Sequence, residues 1–121
     1  MMNDELSKSQ KKIARALIDK GLELECADFI ESIKKLLLTD KSGVKSNHEL
    51  YIKIYKSAHK FDKHIAMRYD GLGGSKYFIT VLELYMDDIL TDEDLADFDE
   101  DVRNRLIGLK NIFNSRLKTG L

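Results

Sequence analysis

The chain has 121 residues, 43% hydrophobic and 34% charged, with 20 Lys or Arg against 21 acids. That length fits one domain of ordinary size, able to bury enough surface to fold without a disulfide or a metal. The single cysteine, Cys26, excludes an intrachain disulfide and a Cys-rich zinc site, and with no proline in the chain no residue is a built-in helix breaker. The first residues have no basic secretory start, and no window reaches the roughly 20 apolar residues of a spanning helix. A cytoplasmic protein without a membrane partner is the expectation, and the lone cysteine agrees with a reducing compartment.

The first stretch begins near Asp4, with Asn3 or Asp4 as a cap, and Leu6, Gln10, Ile13 and Leu17 fall three or four apart on one helical face. Gly21 offers a stop. The same spacing nevertheless continues through Ala14, Ile18, Leu22, Cys26, Phe29, Ile33 and Leu36. Glycine inside a helix costs about 1 kcal/mol relative to alanine, so one continuous helix to Leu38 is preferred over two shorter ones.

Residues 39–47 (TDKSGVKSN) read as a polar loop ending in two good N-caps, Ser46 and Asn47. A helix from His48 to about Tyr69 follows. Leu50, Ile54, Ala58, Phe61 and Ile65 form its apolar stripe, and Lys53, Lys56, Lys60 and Lys63 a basic stripe on the far side. The run DGLGGS at 70–75 turns the chain, and Ser75 is placed to cap a helix from Lys76 to about Leu90. Its inward set is Phe78, Val81, Leu82, Tyr85 and Ile89. Thr91 followed by Asp92, Glu93 and Asp94 signals another helix start. Leu95, Phe98, Val102, Leu106, Leu109, Phe113 and Leu117 keep helical spacing from there. Asp99 is a second cap, so the acidic part can form a short helix of its own before the last one, and a tail at 118–121 is expected to fray.

Charge is segregated along the chain. Residues 41–69 hold seven Lys or Arg against two acids, residues 70–101 eleven acids against one Lys, and residues 102–121 five Lys or Arg and no acid. The structural explanation is helix-dipole complementarity together with acidic and basic elements packed side by side. The functional one treats the stripes as contact surfaces. The four-Lys face suits phosphates, and the acidic stretch suits a basic protein or a basic face of a second copy. Nothing beside the Lys stripe looks like a helix-turn-helix reading base edges.

Familiar catalytic patterns are incomplete. The run GLGGSK at 71–76 lacks the spacing of a phosphate-binding loop and the strand that precedes one. His48, His59 and His64 have no four-residue pair for a zinc helix, and no Glu-x-x-His occurs for a carboxylate-bridged metal pair. Read as a calcium loop from Asp97, the acidic run puts Val102 where glycine is required. By helical phase His59 is exposed and His64 lies at the edge of the core, while Cys26 falls on the apolar face as a small buried residue. Arg68 is out of pattern. It falls inside the apolar stripe of its helix, where it either snorkels at the helix end or pairs with Asp62, Asp70 or an acid from residues 87–101.

The fold expected is all-α, a mainly antiparallel bundle of four to five helices in a single domain over 1–121, with a long N-terminal helix or helical hairpin. Its core would be built on Ile13, Phe29, Phe61, Phe78, Val81, Phe98 and Leu106. The function expected is that of a small non-enzymatic binding or regulatory protein acting through charged helix faces. Its partner would be a protein, and a homodimer is one form of that. A nucleic-acid accessory role through Lys53, Lys56, Lys60 and Lys63 is the alternative. An enzyme gathering His64, Arg68 and Asp70 into one pocket is the third reading. Neither a cofactor nor a metal is called for.

Overall fold

The computed structural model describes residues 6–38 and 46–119, with side chains up to residue 116. The described residues are helical and contain no strand. Helix α1 spans Lys8–Leu38, α2 Asn47–Tyr69, α3 Lys76–Met86 and α4 Glu100–Thr119, with a 3-10 turn over Glu93–Asp97 before α4. Most of the expected loop, 39–45, lies outside the described residues. At its end the Ser46 Oγ accepts the Glu49 N–H at 3.1 Å and caps α2, and Asn47 is already helical. Helical backbone continues to Thr119, and the remaining two tail residues lie outside the described part.

The chain forms two compact units, Met1–Gly21 together with Gly71–Leu121, and Leu22–Asp70. In the first unit Leu6, just ahead of α1, and Gln10, Ala14, Ile18 and Gly21 of α1 line the interior. Ile13, expected in the core, is only half-buried. The buried row is the one four apart that contains small residues, which lets the helix approach α3 closely. Gln10 is buried without harm because its Oε1 accepts the Asp99 N–H at 2.9 Å. The rest of this core is Tyr77, Phe78, Val81, Leu84, Tyr85, Leu90, Leu95, Phe98, Val102 and Leu106. Phe78, Val81, Phe98 and Leu106 are where periodicity put them. The Arg15 side chain donates to the Tyr77 hydroxyl at 3.0 Å, and Gly21 lies against Leu84. These contacts ascend together in sequence, so α1 and α3 run in the same sense here.

Helix α3 ends at Met86, short of the Leu90 expected from periodicity. Asp88 adopts φ 61°, the left-handed conformation that aspartate tolerates better than most residues. The Ile89 N–H then bonds the Leu84 carbonyl at 3.0 Å and the Asp88 N–H that of Tyr85 at 3.2 Å, which closes the helix and turns Leu90 into the core. Leu82 and Ile89, expected inside, are half-buried, and Leu84 and Thr80 are buried instead. Ser75 precedes α3 without a side-chain capping bond, contrary to expectation, because its own backbone is already helical.

Four residues of the acidic stretch, Asp88, Asp92, Asp94 and Asp99, are tied into this unit's local structure. Thr91 Oγ1 accepts the Asp94 N–H at 3.3 Å while Asp94 Oδ2 accepts the Thr91 N–H at 2.7 Å, a capping box with aspartate in place of glutamate. Asp94 also meets Lys20 at 2.5 Å, and the bonds from Lys20 and Thr91 hold its carboxyl below the usual range. Asp99 caps α4 by accepting the Val102 N–H at 3.0 Å, so the 3-10 turn and α4 are separate elements. Asp88 pairs with Lys110 at 2.7 Å. The Tyr85 hydroxyl donates to Asp92 at 2.5 Å, and burial together with that carboxylate pushes the phenol up to about 12. These four acids thus serve side-by-side pairing and helix capping.

Gly21 answers the question left open by the sequence. The helix passes through it unbroken, and a Cβ there would stand 2.6 Å from a Leu84 methyl that is itself fully buried. Glycine therefore serves close helix approach, and a chain stop is not needed. Replacing Gly21 with valine should lower stability by about 1–2 kcal/mol through overpacking. Urea unfolding followed by circular dichroism would measure it, and a stability equal to or above wild type would refute the close-approach account.

The second unit is an antiparallel hairpin of the last part of α1 and all of α2. Phe29 stacks on Phe61 with ring centroids 4.5 Å apart, and Glu25 pairs with residues near the end of α2. No described residue of this unit is buried. Phe29 and Phe61, expected in the core, are half-buried, as are Leu50, Ile54, Ile65 and Cys26, and Ala58 is exposed. Two helices have only one shared seam, so their apolar stripes cover each other on one side only.

Candidate functional site

The hairpin's seam carries a polar cluster built on Glu25. Glu25 lies on the same helical face of α1 as Leu22, Phe29 and Leu36, and it is an acid in an apolar row. Its side chain retains 10% of its exposure. His64 Nε2 donates to Oε1 at 2.7 Å, Arg68 to the same oxygen at 3.1 Å, and the Tyr69 hydroxyl to Oε2 at 2.5 Å. Three donors from the last two turns of α2 therefore converge on one carboxylate of α1. Burial raises the Glu25 carboxyl pKa, but the bonds from Tyr69 and His64 and the charge of Arg68 outweigh it and hold it below the usual value. Burial and the same carboxylate push the Tyr69 phenol well above its ordinary range.

Arg68 is the out-of-pattern charge of α2, with 11% of its side chain exposed, and it pairs with Glu25 of α1. Sequence reasoning offered Asp62, Asp70 or an acid from 87–101 and passed over Glu25. The signal was present: Glu25 is as misplaced on the apolar face of α1 as Arg68 is on that of α2, and two misplaced charges of opposite sign predict each other.

Beside this cluster runs a shallow groove of about 350 Å3 lined by Phe29, Ser32, Ser57, Lys60, Phe61 and His64. It joins the stacked aromatic pair to the edge of the Lys stripe. Lys53, Lys56, Lys60 and Lys63 are all exposed, as their phase required. Among the predicted site residues, His64 and Arg68 are brought together on Glu25, Lys60 shares the groove with His64, and Lys53, Lys56 and Lys63 stay on the open face. Asp70 is exposed at the C-cap of α2, where its N–H bonds the Ala66 carbonyl at 3.1 Å. A second basic groove, in the first unit, is lined by Lys8, Lys11, Lys12 and Arg15 of α1. The sequence reading made nothing of that run.

Chemically, the Glu25 carboxylate is committed to three donors. Its arrangement ties two helices and orients His64 at the edge of the groove, with the imidazole 40% exposed. Among the described residues, no three His, Cys, Asp or Glu side chains group to hold a metal ion, and no helix is long and apolar enough to cross a membrane. Set against family models, curated proteins and solved structures, the chain matches none of them.

Proposed function

We propose that this chain is a non-enzymatic binding protein whose contact element is the basic face of the α1–α2 hairpin, and that its partner is an acidic protein surface. The observation that carries this reading is the placement of the four lysines of α2. All are exposed on one face, and Lys60 adjoins a groove that pairs stacked aromatic rings with Ser32, Ser57 and His64. Such a groove offers apolar area together with donors, and a flanking lysine row supplies the long-range attraction that speeds association with an anionic surface. The Glu25 cluster serves this role by fixing the two helices that form the groove walls.

The test compares wild type with a variant carrying Lys→Glu at positions 53, 56, 60 and 63, each used to capture proteins from the native host. A discrete set of acidic proteins should be retained by the wild type and lost with the variant. Identical captured sets for the two chains would remove the reading. A nucleic-acid role through the same face draws on the same lysine row. It predicts retention on DNA or RNA that weakens steeply between low and moderate salt. Retention independent of the four lysines would exclude it.

A further inference from the structure

We infer that the basic groove on α1 in the first unit is a binding site for a ligand that carries closely spaced phosphate groups. This goes beyond the basic-face reading and uses a different surface. Lys8, Lys11, Lys12 and Arg15 fall three or four residues apart, so their side chains leave α1 on one face. Together they line a pocket of about 320 Å3, and every described residue of its wall is cationic. The wall is made of side chains, so the site does not depend on the free amides at the helix start. Toward the C-terminus the next acid, Asp19, lies one turn beyond Arg15 and outside the wall.

Two observations select an anion, and among anions phosphates. The first is charge without a counter-charge. The first turn of α1 holds no acid, and among the described residues neither Lys8 nor Lys12 meets a carboxylate. The Arg15 Nε donates to the Tyr77 hydroxyl at 3.0 Å, a neutral acceptor. Like charges three and four apart on a helix repel, and cations near its start oppose the helix dipole. The folded chain therefore holds a repulsion that a bound anion relieves. The second is the setting of Arg15. Its Cζ lies 5.4 Å from the centre of the Tyr77 ring, and Tyr77 is buried near the start of α3. With Nε held there, the two terminal amino groups of the guanidinium form an oriented fork, the geometry that receives two oxygens of one phosphate. The remaining cations stand beside that fork, where a second phosphate adds charge that a single carboxylate lacks. The pocket is at the small end of the roughly 300–1,000 Å3 typical of small-ligand sites, which suits a diphosphate. A free diphosphate and neighbouring phosphates of a nucleic acid share this chemistry.

Calorimetric titration of the full chain with inorganic pyrophosphate at fixed ionic strength tests this. Wild type should bind one equivalent, and Lys8→Glu/Lys12→Glu should weaken binding by about tenfold or more. Arg15→Lys keeps the charge and removes the fork, so it should also weaken binding by about tenfold. The variant with Lys→Glu at positions 53, 56, 60 and 63 should bind pyrophosphate as wild type does, which separates this site from the basic face of α2. In that variant, an oligonucleotide that displaces pyrophosphate assigns the site to a nucleic-acid backbone, and one that does not assigns it to a free diphosphate. Without ligand and at low salt, Lys8→Glu/Lys12→Glu should melt at a higher temperature than wild type, because the repulsion is gone. No heat of binding beyond that of chloride at equal ionic strength would overturn the inference. So would an affinity that Lys8→Glu/Lys12→Glu or Arg15→Lys leaves intact.

Discussion

Truncating Leu84 to alanine should destabilise the protein by about 3 kcal/mol, within the 2–5 kcal/mol usual for a large-to-small change in a closed core. Leu84 is fully buried, its side chain lies on Gly21 of α1, and its carbonyl accepts the N–H groups of both Ile89 and Leu90. The substitution leaves those backbone bonds in place and removes only the packing, so the loss reads the cavity and the lost transfer of three carbons from water. The same geometry makes a sharper statement about coupling. Alanine at position 21 alone places a methyl 2.6 Å from a Leu84 methyl, whereas alanine at both positions clears the clash and fills part of the void. The double variant Gly21→Ala/Leu84→Ala should therefore be more stable than the sum of the two single losses by about 1 kcal/mol. Urea midpoints for the four chains complete the cycle. Additive losses would show that the two residues do not share a boundary.

Glu25→Ala is expected to cost the hairpin about 2 kcal/mol. Removing one partner of a buried ion pair costs about 3–5 kcal/mol, and the partial exposure of this cluster, with His64 40% exposed, reduces that figure. The loss arises because the bonds that His64, Arg68 and the Tyr69 hydroxyl make to the Glu25 carboxylate across the seam are removed. Glu25→Gln keeps the size and one acceptor and should cost less.

The pH dependence follows from the direction of the Glu25 shift. Its carboxyl is held below the ordinary value of 4.5, so the folded hairpin favours the ionised form. The stability this contributes is fully present above the unfolded value and is lost as the pH falls through the folded one. Wild type should thus lose hairpin stability in acid below that ordinary value, and Glu25→Gln should show a smaller acid loss. Amide exchange in α2, or the near-ultraviolet signal of its tyrosines, would follow it. Equal acid loss in both chains would assign the effect to other carboxylates.

Periodicity, capping residues and charge placement were enough to give the helical class, the end of α1 at Leu38, the Ser46 and Asp99 caps, the separate acidic turn and the exposure of the lysine stripe; the start of α1 was expected near Asp4, and it lies at Lys8, where Ser7 Oγ accepts the Gln10 N–H. These are local properties. They depend on which residues lie three or four apart and on which side chain can reach the next backbone amide. What Gly21, Asp88, Glu25 and Ile13 do was decided by tertiary structure. Position 21 suits glycine because Leu84 of α3 takes the space of a side chain there. Asp88 ends α3 early because its left-handed backbone lets the chain turn Leu90 inward. Glu25 and Arg68 each break an apolar row on their own helix and make sense only as a pair across the seam. Ile13 yields its place to Ala14 because close helix approach selects the row with the smaller side chain. In each case the deciding contact comes from a residue far away in sequence, which spacing along one helix does not encode.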